Sequence, residues 1–203
     1  MKSYNKRILP LNDWEDIKAI KITIQDEFPL DFFRFKNLEE LYVEGSCKVL
    51  PDLSHWFKKL KFLSIRLRGL KGGIESVFNL PSLENLKVIE TPLKTLMIPS
   101  DLGSSSLVSL TIKNCSLKEL PENIFKLEKL TEINFSGNDL SELPSSIKEL
   151  KNLRRLNLDQ NRFKFFPGVI SHLPKLNHLS MDQNLFSQIE KDRIERDFHI
   201  TII

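Results

Sequence analysis

The chain has 203 residues, with 30 Lys and Arg residues, 27 Asp and Glu residues and a formal net charge of +3. Such a small net charge argues against a dedicated nucleic-acid-binding protein, whose charge is usually more one-sided. Two cysteines, Cys47 and Cys115, cannot build a disulfide-dense scaffold, and no apolar run reaches the length of a membrane span.

The first ten residues, MKSYNKRILP, are partly basic but contain no apolar core of a secretory signal. We therefore expect a cytoplasmic protein, with secretion that needs no classical signal peptide as the alternative. Residues 1–16 also carry several large apolar side chains, including Trp14. They are predicted to form an N-terminal cap, because the open end of a stack of repeats exposes its core.

The pattern Leu-x-x-Leu-x-Leu-x-x-Asn recurs over the rest of the chain, and its clearest copies start at Leu130, Leu153 and Leu176. Weaker copies start at residues 17, 38, 60, 83 and 107, so that eight repeats cover residues 17–187. Repeats of 20–29 residues bury a continuous core only when they stack on one another. The sequence therefore predicts one elongated domain built from stacked repeats.

Each repeat is predicted to contain one short strand. The second and third apolar positions of the pattern are two residues apart, so they face the same side and form the core, while their neighbours face outward. The final Asn is predicted to form a buried column, Asn138, Asn161 and Asn184, whose amides bond to the turn backbone. The five earlier repeats carry other residues at this position: Gln25, Ser46, Arg68, Thr91 and Cys115. We expect looser turns there, with the Arg68 head group reaching water and Cys115 buried as a structural residue.

The second half of each repeat is predicted to return along the opposite side of the stack. There the pattern Leu-x-x-Leu-Pro-x-x-Ile predicts two or three helical turns, partly 3₁₀, that begin after the proline. Residues 188–203 are predicted to form a C-terminal cap. In it, a helix with Ile189 and Ile194 facing inward is followed by a strand over Phe198–Ile203, where apolar residues alternate.

Residues 130–150, LTEINFSGNDLSELPSSIKEL, join both halves of the pattern. This segment resembles the typical intracellular leucine-rich repeats of Ras-binding scaffold proteins and those of many bacterial proteins. The resemblance implies an α/β solenoid shaped as a right-handed horseshoe, with a parallel sheet on its concave face and short helices, 3₁₀ turns and loops on its convex face. It also implies a protein-binding role without intrinsic catalysis or a cofactor.

The outward residues of the strands fall into columns along the concave face and are the candidate partner-binding surface. The first half combines large side chains with charged ones: Tyr42, Glu44, Phe62, Arg66, Lys87 and Ile89. Lys113 and a polar, mildly acidic group follow: Asn134, Asn157, Asp159 and Asp182. Aromatic residues and Arg are enriched in binding hot spots, so we expect the first half to anchor a protein and the second half to supply register or charge complementarity. The alternative is that these are ordinary solvated strand residues.

The sequence contains few signs of catalysis or metal binding. The four histidines lie on different repeats without zinc-ligand spacing, and the phosphate-binding pattern GxxxxGK[ST] is absent. Asp159 and Asp182 are predicted to lie about 5 Å apart on adjacent strands, where they could bind a cation or shift each other's pKa, but no further ligand accompanies them. We therefore expect a non-enzyme that needs no metal or cofactor.

The sequence thus predicts a monomeric scaffold, adaptor or inhibitor that binds another protein, rather than a nucleic acid or a membrane, on its concave face. Two alternatives remain open. The protein could be a secreted effector or adhesin that binds a host protein, or the recognition module of a larger enzyme.

Overall fold

The computed structural model describes residues 2–3, 14–93, 95–102 and 105–202. These residues form one parallel sheet whose strands lie side by side in chain order. The strands are β1 Lys2–Ser3, β2 Ala19–Ile24, β3 Glu40–Ser46, β4 Phe62–Arg68, β5 Asn85–Ile89, β6 Ser109–Lys113, β7 Glu132–Asn134, β8 Arg155–Asn157 and β9 His178–Ser180. The eight predicted strands are confirmed as β2–β9. β1 belongs to the predicted N-terminal cap, most of which lies outside the described residues.

The predicted register of the strands is confirmed along the whole stack. Ile20 pairs with Leu41, Leu41 with Leu63, and the line continues to Leu179 at β9. In β4 the residues alternate between buried and more accessible positions, as the period of two in a strand requires. The buried residues of successive repeats form one continuous core, because each strand stacks its apolar side on its neighbours.

The sheet tapers along the chain. β3 and β4 have seven residues each, whereas β7, β8 and β9 have three. The expectation of looser turns in the early repeats is wrong for repeats 2 and 3, because Ser46 and Arg68 continue the strands instead of ending them. The backbone N–H of Cys47 donates to the carbonyl of Arg68, and the Arg68 side chain is exposed as predicted.

The Asn positions explain why the later strands are short. The side-chain oxygen of Asn138 accepts from the backbone N–H groups of Cys115 and Leu117, and its amide donates to the carbonyl of Ile112. These three residues belong to the preceding repeat. Asn161 and Asn184 likewise reach back one repeat, but each accepts from only one N–H, that of Leu140 or Phe163, and Asn184 is half-buried rather than buried as predicted. The backbone therefore leaves the ladder and turns over the buried amide.

Two earlier repeats satisfy the same turn with smaller side chains. The Thr91 hydroxyl accepts from the N–H of Leu67 and donates to the carbonyl of Ile89. The Cys115 thiol is buried and donates to the carbonyl of Lys113, and burial raises its pKa to about 11. Cys115 is thus an inert structural residue, as its position in the repeat predicts.

The convex side carries 3₁₀ helices at Trp14–Asp16, Leu30–Arg34, Glu75–Asn79, Glu122–Lys126, Ser145–Glu149 and Gly168–His172. Three of them directly follow a proline of the repeat pattern, Pro121, Pro144 or Pro167. The prediction of two or three helical turns is wrong, because five residues at three per turn make fewer than two. In the three helices that follow a proline, a buried isoleucine in the middle, Ile124, Ile147 or Ile170, fills the core, so one and a half turns suffice to close the repeat.

The C-terminal end is closed by helix α1, Gln188–Phe198, which begins at Ser187 as its N-cap. Ile194 is fully buried, but Ile189 is 82% exposed, so its predicted inward orientation is wrong. The two residues are five positions apart in the helix, and this places them roughly 140° apart around the axis. The predicted strand over Phe198–Ile203 is also wrong for the described residues: Phe198 ends the helix and stacks on Phe166 with ring centroids 4.3 Å apart.

The Glu190 carboxylate joins α1 to the last repeat. It is buried, accepts from the backbone N–H of Phe166 at 2.8 Å and forms a salt bridge of 2.6 Å with Arg193. The hydrogen bond from Arg193 holds the pKa of Glu190 below its ordinary value. The helix therefore covers the end of the core and satisfies a backbone donor that the last repeat leaves open.

Candidate functional site: the concave face

The outward side chains of β2–β9 line the concave face in the rows that the sequence predicts. Tyr42 lies opposite Ser64, and Glu44 lies opposite Arg66. Ile89 of β5 lies opposite Lys113 of β6. Neighbouring strands in a sheet are about 4.8 Å apart, so the candidate residues of the first half are brought together within a few strands.

Tyr42 and Phe62 form an aromatic pair, which is the central feature of the first half. Their ring centroids are 5.0 Å apart at an interplanar angle of 37°, and both side chains are half-buried. The ammonium group of Lys87 lies 5.5 Å from the centroid of the Phe62 ring. We expected both rings to be exposed on the open sheet. They are half-buried instead, because they partly cover each other.

The hydroxyl of Tyr42 is held in place by a carboxylate. It donates to Oε2 of Glu40 at 3.2 Å. Burial and the nearby charge of Glu40 both raise the pKa of Tyr42, so the phenol keeps its proton at neutral pH. The ring is thus fixed on the open sheet in one orientation, with its hydroxyl group bonded.

Two ion pairs flank the aromatic pair. Lys21 lies 2.7 Å from Glu44, which also accepts from the hydroxyl of Thr23. Arg66 donates to Glu90 through both Nε at 3.1 Å and Nη2 at 2.5 Å. Hydrogen bonds from these partner cations hold the pKa values of Glu44 and Glu90 below their ordinary range.

Sequence reasoning missed the roles of Lys21 and Glu90. Lys21 carries the opposite charge to Glu44 and lies in the row next to it on the adjacent strand, so the register contained this signal. Glu90 lies one residue beyond β5 in a left-handed conformation with φ of 48°. The repeat pattern assigns no outward direction to such a turn residue, and its pairing with Arg66 was not predictable.

The second half of the concave face uses its polar residues to bond its own backbone. The carboxylate of Asp159 accepts from the hydroxyl of Ser180, the N–H of Asp182 and the side-chain amide of Asn157. Asn134 accepts from the N–H of Ser136 in the same manner. These side chains hold the strand ends in place, which favours a structural role over the predicted role in partner register.

The structure gives no support to a cation site at Asp159 and Asp182. Both oxygens of the Asp159 carboxylate already accept hydrogen bonds from the protein. Within the described ranges, no group of three or more His, Cys, Asp and Glu side chains is arranged to hold a metal ion. The histidines at 55, 172, 178 and 199 are all exposed.

Open clefts follow the concave face. One of about 550 Å³ lies at the carboxyl ends of β2–β4, where Arg66 and Arg68 form part of its wall. A second of about 440 Å³ lies over β4–β9 and is lined by Phe62, Lys87 and several hydroxyl and amide side chains. Both are shallow and continuous with solvent, so they fit an extended chain or a protein surface better than an enclosed small molecule.

Comparison with known proteins agrees with this architecture. A family model described as "Leucine-rich repeat region" matches residues 101–193. The human volume-regulated anion channel subunit LRRC8B is 32% identical over 130 residues, which cover 61% of this chain and 16% of that protein. The disease resistance-like protein DSC1 of Arabidopsis thaliana is 29% identical over 121 residues, which cover 54% of this chain and 9% of that protein.

Solved structures show the same fold. Listeria monocytogenes InlP superposes with a TM-score of 0.64 at 21% identity, covering 83% of this chain and 49% of that one. The ectodomain of the plant receptor kinase GASSHO1/SCHENGEN3 from Arabidopsis thaliana, solved in complex with CASPARIAN STRIP INTEGRITY FACTOR 2, gives a TM-score of 0.62 at 26% identity, with coverages of 83% and 21%. The fold and the concave face define the class as a curved solenoid of parallel-strand repeats.

The chain has the fold of a leucine-rich repeat protein, and the family match covers its second half, residues 101–193. Its fold is that of a protein-interaction module, and members of this family are typically non-catalytic binding modules. The chain spans only 16% of the length of the curated LRRC8B relatives that it matches. Among the described residues, no helix is both long and apolar enough to cross a membrane.

Proposed function

We propose that this protein binds another protein through the first half of its concave face and acts as a scaffold, adaptor or inhibitor. The observation that supports this proposal is the aromatic pair of Tyr42 and Phe62, which lies half-exposed between the ion pairs Lys21–Glu44 and Arg66–Glu90. We further propose a cytoplasmic, monomeric, non-enzymatic protein in which caps at 1–16 and 188–203 enclose the repeats at 17–187.

The arrangement suits binding because its anchors are already ordered. A binding surface loses affinity when it must immobilise side chains on association. The Tyr42 ring is fixed by Phe62 and by its bond to Glu40, while Arg66 is fixed by a two-nitrogen bond to Glu90. An incoming apolar side chain would meet rigid aromatic surface surrounded by charged groups, which is the anatomy of a hot spot with a polar rim.

A second candidate function is recognition within a larger protein, such as a GTPase or a ligase. The LRRC8B likeness favours a place within a longer protein, because the matched repeats are 16% of that relative, but that relative is a channel subunit and does not favour an enzyme. The same concave face would then select the substrate or regulator of the larger protein. The alternative of a secreted effector or adhesin gains nothing from the InlP likeness, which supports the fold alone.

A pull-down from native lysate, read by mass spectrometry, tests the proposal. The baits are the wild type, the double variant Tyr42→Ala/Phe62→Ala and the control Phe125→Ala, whose ring is 40% exposed on a convex 3₁₀ helix. A partner retained by the wild type and the control should bind the double variant about 30-fold more weakly, as the loss of a hot spot of about 2 kcal/mol implies.

Circular dichroism must show that the double variant is folded. Equal retention by all three baits would contradict the assignment of the aromatic pair as the anchor.

A further inference from the structure

Three cations on neighbouring strands form a cationic strip on the concave face: Arg68 at the end of β4, Lys87 in β5 and Lys113 at the end of β6. Across the described part of the chain, none of the three makes a salt bridge, although other concave cations do. The ammonium group of Lys87 instead faces the Phe62 ring.

The acidic groups around the strip are engaged elsewhere. Glu44 is paired with Lys21, Glu90 with Arg66, and Glu132 with Arg155. These pairs neutralise each other locally, and although the charge of Glu90 also acts on Arg68, no described carboxylate forms a salt bridge with a cation of the strip. The register places Lys113 one strand and two residues from Lys87, and Arg68 one strand and four residues from Lys87, so the three positions lie roughly 8–14 Å apart on the sheet.

Apolar and hydrogen-bonding groups lie within the same area. Ile89 is half-buried beside Lys113, and Phe62 lies beside Lys87. The cleft over β4–β9 also presents the hydroxyl groups of Ser109 and Thr111. A ligand that follows the strip would therefore meet positive charge, apolar surface and hydroxyl groups along the open sheet, from the cleft beside Arg68 to the cleft over β4–β9.

We propose that the cationic strip binds an acidic segment of a partner protein, an extended chain with two or three carboxylates and one apolar side chain against Phe62 and Ile89. This inference rests on the proposed function, because the segment lies beside the aromatic pair. Each carboxylate of the segment replaces the ion-pair partner that Arg68, Lys87 or Lys113 lacks. The charge complementarity guides the approach of the partner and fixes its register.

The observations favour a polypeptide over a nucleic acid. Duplex DNA carries one charge per roughly 1.7 Å, and a nucleic-acid site needs a continuous basic surface. Here the strip has three cations, and carboxylates at Glu40, Glu44 and Glu132 lie on the same face. A phosphate backbone would meet these acids on both sides, whereas a short acidic segment fits between them.

Phage display of random 12-residue peptides tests the proposal. The bait is the wild-type chain, and the most enriched peptide is then synthesised with a fluorescent label for anisotropy measurements. Lys87→Glu/Lys113→Glu is the test variant. Lys118→Glu/Lys129→Glu is the matched control, because both of its lysines are exposed outside the strands.

Enriched peptides should be rich in Asp and Glu. They should bind the test variant about 30-fold more weakly and the control equally well, since reversing the charges of the exposed Lys87 and the half-buried Lys113 removes two attractions and adds two repulsions. Their affinity should also fall as the salt concentration rises. Selection of neutral or basic peptides, or of no peptide at all, would overturn the inference.

Two further measurements separate this inference from the proposed function. If the acidic peptide loses affinity for the test variant but binds Tyr42→Ala/Phe62→Ala normally, the charge recognition by the strip is supported, whereas the apolar contact with Phe62 and the aromatic anchor are contradicted. If neutral peptides depend on the aromatic pair alone, the proposed function stands and the strip is contradicted. A 20-nucleotide oligothymidine serves as the nucleic-acid probe. If it binds the wild type more tightly than any peptide and loses affinity for the test variant, the strip is a nucleic-acid site and the inference is overturned.

Discussion

Replacing Asn138 by alanine should destabilise the protein more than any other single change to a polar side chain in the repeats. Oδ1 of Asn138 lies 3.1 Å from the N–H groups of both Cys115 and Leu117, and neither donor has another acceptor in the described structure. Each buried donor left without an acceptor costs about 1–3 kcal/mol. Loss of the amide donors to Ile112 and Phe135 adds to this, and we expect a total of about 3–5 kcal/mol.

The assay is urea denaturation followed by circular dichroism, with native-state hydrogen exchange as a local readout. Repeat proteins lose cooperativity easily, so the exchange rates of the Cys115 and Leu117 amides report the turn directly. Asn138→Thr should lose only about 1–2 kcal/mol, because Thr91 already performs both hydrogen-bonding roles in an earlier repeat. Asn152→Ala is the control, since Asn152 is exposed.

One result would refute the proposed role of the Asn column. If Asn138→Ala lost less than about 1 kcal/mol and the two amides exchanged at the wild-type rate, buried water would be satisfying the turn in place of the side chain. The order of the variants is an equally sharp criterion. Threonine must be better tolerated than alanine, because it retains one acceptor and one donor at the same position.

Two further predictions concern backbone space and pH. Gly45→Ala should destabilise the protein by about 2–4 kcal/mol in the same denaturation assay, because φ of Gly45 is +117° and the new Cβ would lie 2.0 Å from the carbonyl oxygen of Ile24. The control is Gly72→Ala, whose new Cβ meets nothing within 4 Å and should change the stability little; equal losses in the two variants would contradict the steric argument. In the folded protein the pKa of Glu190 lies below its ordinary value of 4.5, so its bond to Arg193 contributes its full stabilisation above pH 4.5 and loses it as the pH falls through the lowered pKa. The difference in unfolding free energy between the wild type and Glu190→Gln should therefore shrink below pH 4.5, and a difference that stays constant with pH would contradict this role of Glu190.

The strands of the repeats and their pairing were predictable because every repeat has the same apolar pattern. The spacing of Leu153, Leu156 and Leu158 fixes which side of a strand is buried. A shift of the strand register by one residue would expose these leucines to solvent. Eight copies constrain one another, so the strand pairing was predicted residue by residue even where Arg68 or Cys115 replaced the Asn.

The ends and turns were harder to predict because they occur once. Ile189 and Ile194 both fit an apolar helix, and only packing against the last repeat decides which one is buried. The mutual covering of Tyr42 and Phe62 depends on side-chain rotamers that the repeat period does not specify. Asp159 was predicted to face a partner, but hydrogen bonds to three neighbours on its own and the next repeat hold it as a backbone brace.

The Asn column also sets the order in which the repeats can be completed during synthesis. Asn138 bonds to Cys115, which is 23 residues earlier, and Asn161 and Asn184 likewise reach back into the repeat before their own. A turn that has just left the ribosome therefore has to wait for the following repeat before its buried N–H groups find an acceptor. At about 5–20 residues per second this delay lasts roughly 1–5 s, so the nascent stack always carries one unfinished repeat at its growing end.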